Sequence, residues 1–220
     1  MAEQQQPGLD FIAAQLRTPS GDFANKIADA MDEANERLFD LTFQSMDVQD
    51  GQEILEIGFG SGKFVPRLLA AAGNLSLKGL ELSEEMVELA KVNNPDAVAS
   101  GAFEPVAGSS DNMPFQDDSF DKVYCNMVIF FWDDPAVHLS EVRRVLKPGG
   151  TFYSGFRPKS SMEQMPFTQY GFNLYEVDEW QDVLTANGLL HVATHKSLDL
   201  TQTILGHQVQ LESVCIESQK

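Results

Sequence analysis

Five residues set the chemistry open to this chain: a carboxylate at Glu56, glycines at Gly58, Gly60 and Gly62, and a second carboxylate at Glu81. The glycines occupy alternate positions directly after the apolar run Ile54, Leu55 and Ile57. Backbone there can turn sharply and approach a ligand without Cβ obstruction. A helix starting near Gly62 would add unpaired N–H groups and the positive end of its dipole. Glu81 lies about twenty residues further on, where an acid at a strand end accepts ribose hydroxyls. Together these residues suit a small ligand that carries a nucleoside. A dinucleotide turn is built on G-x-G-x-x-G, whereas this chain has Glu56-x-Gly58-x-Gly60-x-Gly62, with an acid two residues ahead of the first glycine.

The elements that must position these residues read as alternating strands and helices. Strands are expected near 53 to 57, 77 to 81, 103 to 107, 120 to 125 and 150 to 156, and helices near 62 to 72, 84 to 92 and 135 to 146. Such alternation argues for an α/β fold with a parallel sheet and right-handed crossovers. Ser83 is placed to N-cap the helix after Glu81, with Met86, Val87 and Ala90 facing inward. Two helical stretches, about 9 to 16 and 23 to 46, precede the first strand as a cap. An irregular stretch from Arg157 to Asn173 leads to a helix over 177 to 187 that Gly188 stops, and strand-like runs near 189 to 197 and 208 to 216 follow. One domain of 1–220 is expected, with 1–48 as the helical cap and 49–220 as the core.

Four blocks in order resemble the class I S-adenosylmethionine-dependent methyltransferase family, over about residues 50 to 195. The first is the glycine turn. The second is Leu77-Lys-Gly-Leu-Glu81 with the helix after it. The third, Met113-Pro-Phe-Gln-Asp-Asp-Ser-Phe-Asp121, is similar to the L-P-F-x-D-x-S-F-D signature of the small-molecule branch. The fourth, Glu141-Val-Arg-Arg-Val-Leu-Lys-Pro-Gly-Gly-Thr151, resembles E-x-x-R-V-L-K-P-G-G, a helix stopped by Pro148 and Gly149 before a strand. The resemblance implies a Rossmann-like, seven-stranded, mostly parallel sheet with helices on both faces and an antiparallel pair at its C-terminal edge. It implies S-adenosylmethionine as cofactor and S-adenosylhomocysteine as product. Gly58, Gly60 and Gly62 would admit the ligand, Glu56 would organise its ammonium end, and Glu81 would hold the ribose. The family's adenine loop commonly reads Gly-Asp-Ala-Glu; here it is Gly108-Ser109-Ser110-Asp111, so Ser109 replaces the usual acid and Ser110 or Asp111 must compensate. Asn126, at the end of the fourth strand, falls in the switch-point crevice. The alternatives are a nicotinamide-dependent oxidoreductase, disfavoured by the glycine spacing, and a catalytically silent S-adenosylmethionine-binding protein.

Composition narrows the partners. Thirty-three acids against fifteen bases give a formal charge of −18, which repels polyanions, so neither nucleic acid nor an anionic membrane is expected as a partner. Asn126-Met-Val-Ile129 also lacks the Asn-Pro-Pro-aromatic turn of enzymes that methylate base amino groups. The expected partner is a small-molecule methyl acceptor, with a homodimer as the outcome if the N-terminal helices pair between chains instead of capping the site. Cys125 and Cys215 give neither a disulfide framework nor metal spacing, and the first seven residues lack signal-peptide features, so a cytoplasmic protein is expected.

No catalytic base is assigned. His138, on the helix after Pro135, reads as a surface or packing residue, and His191, His195 and His207 fall in the C-terminal strands. Phe130, Phe131 and Trp132 divide evenly between pocket wall and packing, and Tyr170 and Tyr175 are expected to anchor the irregular stretch more readily than to touch a substrate.

Overall fold

The structure is a computed structural model that describes residues 8–199, 201–204 and 207–220. The expectation about the first seven residues lies outside the described residues. Two helices come first, α1 (Leu9–Arg17) and α2 (Ala24–Met46). The strands are β1 (Glu53–Ile57), β2 (Ser76–Glu81), β3 (Phe103–Ala107), β4 (Phe120–Asn126), β5 (Leu146–Phe156), β6 (Leu190–Leu198), β7 (Gln202–Ile204), β8 (His207–Val209) and β9 (Glu212–Gln219). Between them lie α3 (Val65–Leu69), α4 (Glu84–Asn93), α5 (Pro95–Ser100), α6 (Pro135–Val145), α7 (Lys159–Met162) and α8 (Val177–Ala186).

Among the described residues, seven strands form one sheet in the order β3-β2-β1-β4-β5-β9-β6. The five strands from β3 to β5 run parallel, and β9 lies antiparallel between β5 and β6. β1 is central and covered on both faces, which is why Ile54, Leu55 and Ile57 are all buried apolar residues. Chain order reverses between β1 and β4, and that switch opens a crevice beyond the carboxyl ends of the strands. One apolar cluster packs β4, β5 and β9 against α6 and α8 through Val123, Phe152, Val142 and Trp180. A second packs β1 and β2 against α2 through Ile54, Leu77, Phe39 and Met46.

Two of the sequence blocks form one brace. Arg144 of α6 donates to the carbonyls of Phe115 (2.7 Å) and Met113 (3.0 Å) and pairs with Glu141, which in turn accepts the Met113 N–H at 2.8 Å. Asp121 accepts from the Glu53 N–H and from Lys147 Nζ, both at 2.8 Å. The brace fixes the loop after β3 and the start of β1, so both blocks serve the site by holding its frame.

Several element expectations need correction. The helix expected near 62 to 72 is only Val65–Leu69. Gly62 and Phe64 are consumed in the turn, where the Gly62 N–H bonds Phe59 O and the Val65 N–H bonds Gly62 O. At its far end Gly73 is tied to Asp50 and Gly51, which pins the chain to the turn before β1. A short helix, α5, fills 95–100 after Pro95, which suits the first helical position. The strand expected at 150 begins at Leu146, with a register shift against β4 that absorbs Lys147 to Gly150. The run expected at 208 to 216 is two strands, β8 pairing with β7 as a hairpin and β9 joining the main sheet. The stretch from 157 to 173 contains α7 and a tight turn over Pro166–Gln169.

Candidate functional site

The glycine turn is held from three sides. Gly58 continues the β1–β2 pairing through its N–H to Leu80 O at 2.7 Å. Asn93 and Asn94 at the end of α4 donate side-chain amides to Ser61 O (2.9 Å) and Gly62 O (3.0 Å). From the cap, Asp32 of α2 accepts the Ser61 hydroxyl at 2.7 Å. Gly58, Gly60 and Gly62 all take positive φ, at 75°, 56° and 70°, so the turn needs residues without the left-handed penalty. Their surroundings differ. A Cβ at Gly62 would press on Ala90 and Asn94, one at Gly58 would meet Val128, and one at Gly60 would point into open space.

Glu81 ends β2 beside this turn and is buried. One carboxylate oxygen accepts the Gly60 N–H at 3.1 Å and the other the Ser83 N–H at 3.0 Å. Burial raises its pKa, and these N–H bonds pull the other way. Glu56, one strand over, is wholly enclosed. Burial pushes it up to about 8, and Glu81 and Asp32 add to the rise. The Tyr124 hydroxyl faces Glu56 and opposes that rise, although it lies outside good hydrogen-bond geometry.

A cleft of about 340 Å³ runs along the carboxyl ends of β3, β2, β1 and β4. Its wall holds Gly58, Gly60, Glu81, Ser109, Ser110, Asp111 and Asn126, and so gathers seven of the nine candidate positions. The other two sit elsewhere: Gly62 packs against α4, and Glu56 lies under the turn instead of on the wall. Met127, on the same wall, takes φ 59°. A side chain in that region is strained and held by its surroundings, here by the Met127 N–H to Gly155 O at 2.8 Å.

His138, read from the sequence as a surface or packing residue, packs as a half-buried side chain on the cleft wall. It lines the cleft, its Nδ1 lies 2.8 Å from Ser110 Oγ, and its ring stacks on Trp132 with centroids 4.8 Å apart. Burial lowers its pKa, while Asp111, Asp134 and Asp133 oppose that shift. Phe131 and Trp132 belong to the wall, whereas Phe130 is packed away. Tyr175 leans on Trp180, and Phe167 and Phe172 pack together under Phe130 and Phe131, so the 157 to 176 stretch supports the wall from behind.

The cap supplies wall residues that sequence reasoning missed: Leu16, Arg17, Pro19 and Met31. Pro19 O accepts the Ser83 hydroxyl at 2.7 Å, and Arg17 reaches Asp133 at 3.1 Å across the mouth. These pairings span more than sixty residues, and no local pattern announces them.

Two buried donors on the wall, Asn126 Nδ2 and Trp132 Nε1, have no partner among the described residues. Unpaired buried donors cost free energy unless a ligand satisfies them. With a buried carboxylate and a side-chain-free turn beside them, they fit a nucleoside ligand with acceptor groups. Among the described residues no His, Cys, Asp and Glu group could hold a metal ion, and no helix is long and apolar enough to cross a membrane.

Comparison with known proteins finds likeness to methyltransferases. Residues 55–154 match a family model described as a methyltransferase domain. The demethylmenaquinone methyltransferase of Bacillus subtilis is 34% identical over 112 residues, covering 50% of this chain and 48% of that protein. The O-methyltransferase rstn1 of Aspergillus nomiae is 30% identical over 121 residues, covering 55% and 53%. The chain thus spans about half the length of these curated relatives. A chain in the complex between the Haloferax volcanii Trm112 methyltransferase activator and a methyltransferase superposes with a TM-score of 0.75 at 21% identity, over 88% of this chain and 93% of that one. At that identity the likeness is one of fold.

Proposed function

We propose, from the match of residues 55–154 to a methyltransferase-domain model and the likeness to curated methyltransferases, that this chain is a class I S-adenosylmethionine-dependent enzyme that transfers a methyl group from S-adenosylmethionine to a small-molecule acceptor. The observation that carries the reading is Glu81, a buried carboxylate on the cleft wall with both oxygens already on backbone N–H groups of the glycine turn and the α4 start. Such a group is costly to bury and is well placed to accept the two hydroxyls of a ribose.

S-adenosylmethionine would supply a sulfonium-activated methyl group open to in-line displacement, so the protein's task is positioning. Gly58 and Gly60 leave room for the ligand, Glu81 holds the sugar, and Ser109, Ser110 and Asp111 border the base. Gly62 and Glu56 support the turn from outside the wall. His138, bonded to Ser110 and stacked on Trp132, stiffens the base-binding end. Leu16, Pro19, Met31, Met127, Val128 and Phe131 make an apolar part of the wall, beside the charged Arg17, Asp133 and Asp134. That lining and the acidic surface favour a compact, uncharged or cationic acceptor over a polyanion. The unpaired buried thiols Cys125 and Cys215 suit a reducing compartment, so the cytoplasm is the proposed location.

The test is turnover. Purified protein is incubated with S-adenosylmethionine and a panel of phenols, alcohols, amines and thiols, and S-adenosylhomocysteine is followed by mass spectrometry. Product formation that depends on an acceptor supports the reading. Binding of cofactor without turnover on any acceptor favours a silent binding protein.

A further inference from the structure

One residue of the glycine turn reaches back from it toward the cap. Ser61, buried between Gly60 and Gly62, donates its hydroxyl to Asp32 Oδ2 of α2 at 2.7 Å and accepts the Lys63 N–H on the same oxygen at 3.3 Å. A hydroxyl bonded to a carboxylate makes a short, charge-assisted bond. One residue earlier, the Gly60 N–H goes to Glu81 at 3.1 Å. The turn is thus gripped at neighbouring residues, on the cleft side by Glu81 and on the far side by the cap.

This bond belongs to a longer contact. α2 lies along the segment that follows the glycines, where Phe39 stacks on Phe64 with ring centroids 3.9 Å apart and Asp40 pairs with Arg67. Nearer its start, α2 packs Ala24 and Ala28 against Met86 of α4. Between these contacts along α2 lies a groove of about 520 Å³ whose lining includes Asp29, Asp32, Ser61, Lys63 and Asn93, and there the grip on the turn is the Asp32 bond. Burial raises the pKa of Asp32, and the Ser61 bond and Lys63 oppose the rise. An acid that is costly to bury is kept where apolar packing leaves off. Met31, next to Asp32, lines the cleft. Successive helical residues point about 100° apart, so one turn of α2 walls the cleft with Met31 and holds the glycine turn with Asp32.

We infer, resting on the cofactor reading above, that Asp32 is the positioning residue through which the N-terminal cap sets the glycine turn for the cofactor, so that cap docking and cofactor binding are coupled. A ligand held under Met31 favours the docked cap, the docked cap favours the ligand-ready path of the turn, and the linkage is reciprocal. Asn93 and Asn94 hold the turn from α4; what Asp32 adds is the tie to α2.

Wild type is compared with Asp32→Leu, Asp32→Asn, Ser61→Ala and the double variant Asp32→Leu with Ser61→Ala, with thermal unfolding confirming that each folds; Ser61→Ala carries the test should Asp32→Leu not fold. By calorimetry with S-adenosylhomocysteine, Asp32→Leu and Ser61→Ala should each weaken binding by about fivefold, and the double variant no further. Asp32→Asn keeps an oxygen for the Ser61 hydroxyl and should recover most of the loss. Hydrogen exchange followed by mass spectrometry supplies a readout that a merely structural bond would not move. In wild type the ligand should slow exchange in both the glycine turn and α2, and in Asp32→Leu and Ser61→Ala in the turn alone. Wild-type affinity in both single variants, additive losses in the double variant, or ligand protection of α2 that persists in both single variants overturns the inference. Failure of wild type to bind S-adenosylhomocysteine would instead remove the cofactor reading, and the role of Asp32 with it.

Discussion

The Gly60 N–H donates to Glu81 Oε2 at 3.1 Å, so the glycine turn after β1 and the acid at the end of β2 form one unit. The turn holds the carboxylate, and the carboxylate holds the turn in its left-handed path. Neighbouring glycines in this unit should therefore fail in different ways when a side chain is added.

Gly60→Val places its side chain in open space within the cleft, at φ 56°. The backbone strain costs on the order of 1–2 kcal/mol, and the isopropyl group takes the ligand's place. A folded protein that no longer binds S-adenosylhomocysteine is expected. Gly58→Ala adds a Cβ 2.5 Å from Val128 Cγ2, and strain plus overpacking should lower stability by about 1–3 kcal/mol. Thermal unfolding and calorimetry on the two variants separate these effects.

Glu81→Ala removes a charged acceptor from the sugar site. Charge-assisted bonds of that kind contribute about 1.5–3 kcal/mol, so binding of S-adenosylhomocysteine should weaken by about tenfold or more. Wild-type affinity in the variant would take Glu81 out of the site.

Glu56 sets a pH dependence of stability. Folded, it keeps its proton up to about 8, whereas an ordinary glutamate releases it near 4.5. Between those values the folded state binds the extra proton, so the stabilising contribution is complete below 4.5 and is lost as pH rises toward 8. Glu56→Gln cannot ionise and should show a shallower decline over that window, the difference being at most about 1.4 kcal/mol per pH unit. Denaturant melts at pH 5, 6.5 and 8 report it, and parallel profiles for the two proteins would contradict the assignment.

Arg157 and Asp199 form a buried ion pair at 2.8 Å that joins β5 to the segment after β6, and Arg157 also reaches Asn35 and the Ala34 carbonyl of α2. Removing one partner leaves a buried charge uncompensated. Arg157→Met should cost about 3–5 kcal/mol. The double variant Arg157→Met with Asp199→Leu should cost less than the sum of the two single changes. Chemical denaturation of the three variants measures the coupling.

What the sequence made legible follows from locality. β1 and β4 are short apolar runs because both faces of the central sheet are covered, and Ser83 caps α4 as its position implied, with its Oγ accepting the Met86 N–H at 3.3 Å. The residues from Glu56 to Gly62 and Glu81 stood out because a turn and an acid at a strand end are local patterns. The length of α3 was not legible, because Asp50 and Gly51 on another segment end it. Nor was His138, whose place on the cleft depends on Ser110 twenty-eight residues away. Thr42 and Gly155 meet Asn126 only in the folded chain, and the pairing of β9 between β5 and β6 is a long-range choice that periodicity does not encode.

The central claim is that the cleft binds the nucleoside of S-adenosylmethionine through Glu81 and the glycine turn. Calorimetric titration of the purified protein with S-adenosylhomocysteine, run beside NAD, tests it most directly. The account predicts one saturable site per chain for S-adenosylhomocysteine at micromolar affinity, about −8 kcal/mol, and no saturation with NAD. Binding of NAD with no signal for S-adenosylhomocysteine would contradict it.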